Sequence, residues 1–377
     1  MGVYALKVLF LSITAGEGHR STANAVMDEL SKMGVECRFL DAYAYLNPVL
    51  YRAVAQGYLI ATSITPTAYG GFYRLYEKLD KNDSINSVAN IGNSVMSLKL
   101  KKYFKEEFDP DVIVCTHVFA AQIVNVMKAK GHLKAKTIGI ITDYTIHPFW
   151  KSVTSLDYFV IASELLARQA VNKGIAEGKL LPIGIPISPK FSSRVEKSQA
   201  CRQLNIDPDK FTILLMSGSM GHGNITKVLT SIDNLENDFQ VMTVCGTNLH
   251  AKYKIDKLKT RKKVYSYGYV NNIELMMDAA DCIVTKPGGL TTSEALAKNL
   301  PIIMINPIPG QEARNVEFLL NNGLAVSVTK TFTVDEALYQ LLLYPQKLVN
   351  MTENIKLVGK PNATRDLCNF ILKLKNE

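Results

Sequence analysis

The stretch FTILLMSGSMGHGN, residues 211–224, decides the fold. Its apolar run from Phe211 to Met216 reads as a strand buried on both faces, the kind found in parallel sheets. Glycines at 218, 221 and 223 follow, and then a helical pattern. A strand, a glycine loop and a helix in that order open a Rossmann-like unit. Because it falls past the midpoint of the chain, this unit is a restart. The first start is KVLFLSI (7–13), followed by helix-spaced Ala23, Val26, Met27, Leu30 and Met33.

Outward from these two starts the same rhythm repeats. VIVCT (112–116), KTIGIIT (136–142) and YFVIAS (158–163) are strand candidates before the restart. QVMTVC (240–245), KVYSYGYV (263–270), DCIVTK (281–286) and PIIMINP (301–307) follow it. Between them LPIGIPISPKF (181–191), with three prolines and a glycine, continues neither a helix nor a central strand and reads as a linker. The expected fold class is α/β with two Rossmann-like domains. Their expected bounds are 1–185 and 192–345, with a C-terminal helical segment, 346–377, as a candidate to pack back on the first. A length of 377 residues fits two domains at roughly 150 each.

Composition narrows the classes. No stretch approaches the ~20 consecutive apolar residues of a membrane span, and the opening MGVYALKVLFLSITAGEGHR has neither the flanks nor the cleavage site of a secretory leader. The six cysteines are scattered without a CxxC pair, as suits free thiols of a cytosolic protein. The net charge of +9 points to an anionic partner, and composition does not choose among nucleic acid, anionic lipid and a phosphorylated ligand. No nucleic-acid motif is present, so none is expected as a partner.

Three glycine loops each follow a strand and open a helix: Ala15-Gly16-Glu17-Gly18-His19, Ser217–Gly223 and Lys286-Pro287-Gly288-Gly289-Leu290. Backbone N–H groups at a helix start suit phosphate. None completes GxGxxG or GxxxxGK[ST], and each alone fits a tight structural turn as well as a ligand loop. Asp109-Pro-Asp111 and Asp207-Pro-Asp209 read as turns before strands, so no metal and no cofactor is expected.

The run KPGGLTTSEALAKNLPIIMINPIPGQEARN (286–315) resembles the donor-site signature of the monogalactosyldiacylglycerol synthase and processive diacylglycerol β-glucosyltransferase family, which is related to the lipid II-forming N-acetylglucosaminyltransferase. AGEGHRSTANAV (15–26) and TDYTIHPFW (142–150) are similar to the diacylglycerol branch. The resemblance implies a glycosyltransferase-B fold and an inverting, metal-independent hexosyltransferase. It would move glucose, favoured over galactose, from a UDP-sugar to the 3-hydroxyl of 1,2-diacylglycerol. It further implies that Glu294 binds the ribose hydroxyls and that Gln311, Glu312 and Asn315 face the sugar. Gly218, Ser219, Gly221 and Gly289 lie near the diphosphate, and Tyr269 and Val270 meet the uracil. His19 becomes the base, and Gly18 beside it falls on the acceptor side. Asp143, His147 and Trp150 fit an acceptor wall and, equally, a capped turn with a packing aromatic. Two alternatives share the donor signature: an N-acetylglucosaminyltransferase acting on a polyprenyl-linked precursor, and a UDP-sugar sensor without turnover.

A lipid acceptor implies peripheral association with the inner face of the cell membrane. The tyrosine-rich segment 43–76, with lysines at 99–105 and 128–136, is the expected contact with an anionic surface.

Overall fold

The computed structural model describes residues 5–13, 17–46, 83–216, 218 and 224–376. It divides into two compact units: 1–189 with 309–311 and 362–377, and 190–308 with 312–361.

The first unit holds a six-stranded sheet: β1 (Lys7–Ser12), β2 (Glu36–Asp41), β3 (Val112–Cys115), β4 (Lys136–Ile140), β5 (Tyr158–Val160) and β6 (Leu180–Leu181). Every pairing is parallel, in the order β2-β1-β3-β4-β5-β6. Val8 and Phe10 of β1 pack with Ala23, Val26 and Leu30 of the Glu17–Lys32 helix, as the helical spacing predicts, while Met33 lies exposed.

The second unit holds β7 (Thr212–Met216), β8 (Gln240–Val244), β9 (Lys263–Tyr267), β10 (Cys282–Thr285), β11 (Ile302–Met304) and β12 (Ala325–Ser327), also parallel throughout. Their order, β9-β8-β7-β10-β11-β12, is the dinucleotide-fold order. Its core joins Ile213 and Leu215 of β7 to Ile225, Val228, Leu229 and Ile232 of the next helix.

Three strands escape the sequence reading. β2 is a sheet edge with no fully buried residue, β6 has two residues and β12 three, so none produces a long apolar run. The expected C-terminal segment divides. The Gln346–Val358 helix belongs to the second unit, and the Ala363–Lys373 helix to the first. The reason is apolar burial: Leu367, Cys368 and Ile371 enter the first core, whereas Met351 enters the second.

In both sheets the order in which strands are added reverses, at β1/β3 in the first and at β7/β10 in the second. Ligands of open parallel sheets bind beyond the carboxyl ends of strands at such points.

Candidate active site

In the first unit the β1/β3 switch joins residues about a hundred positions apart. Leu11 pairs with Cys115, so the segments leaving both strands run side by side. Thr116 N–H donates to the Leu11 carbonyl at 3.1 Å, and the Thr116 hydroxyl donates to Ser12 Oγ at 2.9 Å. His19, in the first turn of the Glu17–Lys32 helix beside half-buried Gly18, thereby faces Thr116. Its Nδ1 lies 2.7 Å from the Thr116 carbonyl oxygen and 3.2 Å from Thr142 Oγ1.

A carbonyl only accepts, so Nδ1 carries the proton and the lone pair of the neutral ring sits on Nε2. Among the described residues, Nε2 has no hydrogen-bond partner. Burial holds the His19 pKa below the ordinary histidine value, partly opposed by the Thr116 bond. A neutral imidazole with a free Nε2 can accept a proton near neutral pH.

His117 is the residue the sequence reading missed. It caps the Val118–Ala129 helix by accepting Phe119 N–H at Nδ1, 3.1 Å away. Its ring meets that of His19 edge-on, with centroids 4.6 Å apart. Burial, then the neighbouring His19 and His147, keep it uncharged. The available signal was its place immediately after the buried strand VIVC, at the ligand end of the sheet.

The two readings left open for the TDYTIHPFW segment now separate. His147 accepts Phe149 N–H at Nδ1 and caps a short 3-10 turn, Pro148–Ser152; burial pushes its pKa down to about 3. Trp150 sits as a packing aromatic. It is buried against Phe159, and a Cβ on Gly139 would lie 2.9 Å from its ring, so the indole fills the space that glycine leaves. Asp143, buried, accepts the Gln311 amide at 2.7 Å, within the group of residues that includes 309–311.

In the second unit, β7 leads to Gly218, whose φ of +69° suits glycine. Ser219 and Gly221 lie outside the described residues. β10 leads to the Pro-Gly-Gly turn, and buried Gly289 opens the helix Gly289–Ala297. Its N-cap is Gly288, which has no side chain to cap the first turn, and backbone N–H groups at a helix start suit an anion. Glu294 lies on its second turn, half-buried, and its carboxyl has no hydrogen-bond partner among the described residues. Burial, with Glu274 adding repulsion, raises its pKa to about 8.

Glu312 Oε2 accepts Ile308 N–H at 2.7 Å, and its other oxygen sits beside Gly288. Burial raises its pKa, while nearby Lys286 and the Ile308 bond lower it. For Asn315, expected to face the sugar, the structure gives a protein partner. It is fully buried and donates to the Pro287 carbonyl at 2.9 Å, because an amide enclosed in the protein must be satisfied there. It therefore braces the Pro-Gly-Gly turn. Tyr269, 71% exposed, and half-buried Val270 follow β9 at the same end of the sheet.

Of the Asp-x-Asp pairs, 207–209 enters a turn and Asp111 lies on a bend before β3. Asp207 accepts Asp209 N–H at 3.0 Å, and Asp111 accepts Lys7 N–H at 2.8 Å. Of the tyrosine-rich segment only Tyr43 and Tyr45 are described. Tyr43 is buried, and Tyr45 bonds Glu107 at 3.0 Å.

Residues 19–187 match the monogalactosyldiacylglycerol (MGDG) synthase family, and residues 197–358 match glycosyl transferases group 1. A processive diacylglycerol β-glucosyltransferase of Bacillus subtilis (strain 168) is 28% identical over 372 residues, covering 97% of this chain and 95% of the relative. That of Bacillus pumilus (strain SAFR-032) is 27% identical over 370 residues, covering 97% and 94%. The crystal structure of Acinetobacter baumannii MurG superposes with a TM-score of 0.65 at 14% identity, over 98% of this chain and 99% of that one. A Staphylococcus aureus MnaA–UDP co-structure gives 0.60 at 13%, over 99% and 98%. At such identities the structural likeness speaks for the fold alone, the glycosyltransferase-B arrangement of two Rossmann-like domains. The N-terminal half of the chain is thus similar to the monogalactosyldiacylglycerol synthases, and the C-terminal half to the glycosyl transferases of group 1.

Proposed function

We propose that the protein transfers glucose from UDP-glucose to the 3-hydroxyl of 1,2-diacylglycerol, with inversion, at a membrane surface. The observation that carries the catalytic part is His19, neutral, with Nδ1–H committed to the Thr116 carbonyl and Nε2 without a partner among the described residues. In the proposed step the acceptor oxygen attacks the anomeric carbon and its proton passes to Nε2. The bond from the anomeric carbon to the UDP oxygen breaks, and UDP leaves with the electron pair. The start of the Gly289–Ala297 helix and the Gly218 loop would stabilise the diphosphate without a metal. The unpartnered Glu294 carboxyl would accept the two ribose hydroxyls. Glucose and diacylglycerol are taken from the names of relatives that align along nearly the whole chain.

No helix among the described residues is long and apolar enough to cross a membrane. In this reading the enzyme meets its lipid from the surface. The test is incubation with labelled UDP-glucose or UDP-galactose and diacylglycerol vesicles, followed by separation of the lipids. A glucosylated lipid is expected. Label confined to UDP-galactose incubations would change the donor, and UDP binding without any labelled lipid would favour the sensor.

A further inference from the structure

We propose that the second unit has a docking face of its own for anionic phospholipid surfaces: the outer stripe of the Leu249–Lys257 helix and the segment that follows to Lys263. The choice of a bilayer as occupant rests on the lipid-acceptor reading above. The charge and geometry do not.

Residues 249–263 read LHAKYKIDKLKTRKK. Seven basic residues stand there against Asp256 alone, a net of +6 in a chain whose total is +9. The helix seats Ala251 and Ile255 in the core of the second unit. Leu249, Tyr253 and Lys257, at i, i+4 and i+8, share another face. Leu249 is 74% exposed and Tyr253 is 62% exposed. The Lys257 ammonium lies over the Tyr253 ring, 5.8 Å from its centre.

Asp256 is already paired with Lys252 at 2.7 Å, so the remaining cations of this segment have no acid within it. Lys254 and Lys259 are exposed and have no hydrogen bond or ion pair among the described residues. An exposed lysine run by itself is an ordinary solvated surface. Here it flanks an aliphatic and an aromatic side chain one helical turn apart, and that combination suits the boundary between headgroups and acyl chains. A nucleic acid would use the cations and stack on Tyr253, but would leave Leu249 with nothing to bury it. A bilayer takes both.

The experiment is vesicle flotation of the full chain on phosphatidylcholine alone and on phosphatidylcholine with phosphatidylglycerol, at low and high salt. Wild type should favour the anionic vesicles and lose most of that preference at high salt. One basic residue near such a surface is worth about fivefold in partitioning at low salt. Lys254→Gln, Lys257→Gln, Lys259→Gln and Lys263→Gln together should therefore reduce partitioning on anionic vesicles at least about tenfold, even after partial screening. The neutral-vesicle value should stay unchanged. Leu249→Ser with Tyr253→Ser should remove the salt-resistant remainder. Thermal melting checks each fold, and should the fourfold variant melt early, Lys254→Gln with Lys259→Gln carries the same test at two residues that touch no partner. Equal flotation of a folded variant and wild type overturns the proposal. So does wild type that ignores vesicles, including one that binds a single-stranded RNA oligonucleotide instead. Turnover of a short-chain, water-dispersible diacylglycerol without vesicles, run in parallel, should not change in these variants. Absence of that turnover in wild type would fault the catalytic reading and leave the flotation result standing.

Discussion

Burial acts on the histidine of the first unit and on the glutamate of the second with opposite numerical results and one physical effect. It lowers the His19 pKa and raises that of Glu294 to about 8. In each case the charged form is disfavoured, so both groups are held neutral near pH 7. The difference lies in their partners. His19 is fixed through Nδ1 by a backbone carbonyl and needs nothing more to act as a base. Glu294 has no protein partner among the described residues and is left for whatever enters. One site is preset, and the other is completed by its ligand.

The hardest test of that contrast is His19→Ala. Loss of a general base should cut turnover by about a hundred- to ten-thousandfold. UDP affinity, read by calorimetry, should stay within a few-fold, because the role proposed for the histidine is to take the proton and not to hold the nucleotide. Near-normal turnover would hand the proton to another group, with Asp143 the first to examine.

Glu294→Ala should show the reverse pattern. Removing a charge-assisted hydrogen bond costs about 1.5–3 kcal/mol, so the UDP dissociation constant should rise roughly ten- to a hundredfold. A folded variant that binds UDP as tightly as wild type would take Glu294 out of the ribose site.

Asn315→Ala sharpens the comparison inside the second unit. Its amide supports the Pro-Gly-Gly turn in the way the Thr116 carbonyl supports His19. Leaving the Pro287 carbonyl without this donor should cost about 1–3 kcal/mol of stability, seen as a lower melting temperature. UDP affinity should weaken only as far as the turn shifts. An unchanged melting temperature would show that the bond contributes nothing net.

The smallest effect concerns pH. Ribose hydroxyls favour the ionised Glu294 carboxylate, so its pKa should fall on binding. Between the bound value and about 8, binding releases a proton and affinity climbs with pH, by at most about tenfold per unit; above 8 it levels off. The same group makes a second prediction of sign. With the folded pKa raised, the stability linked to Glu294 is full below its unfolded value and is lost as pH rises towards 8. The ligand-free Glu294→Gln variant should therefore gain melting temperature relative to wild type between pH 5 and pH 8. Calorimetry in buffers of different ionisation enthalpy reads the proton, and a flat pH profile would refute the coupling.

The amino-acid sequence by itself determined the α/β class and the two starts, because apolar runs such as Phe211–Met216 alternate with helix-spaced stretches, and that rhythm suits a parallel sheet covered on both faces. It also carried the register of PGGLTTSE and GQEARN, which put Glu294 and Glu312 on the table before any coordinates. Short or edge strands such as β2 stayed hidden, since a half-exposed pattern has no long apolar signal. Only the tertiary structure brought His117 against His19, because β1 and β3 are neighbours by strand order and not by sequence. Only it turned Trp150 into the filler over Gly139, and Asn315 into a brace for Pro287. The protonation states belong to the same class. Periodicity reports which face of an element is covered, whereas adjacency and pKa depend on what the rest of the chain places there.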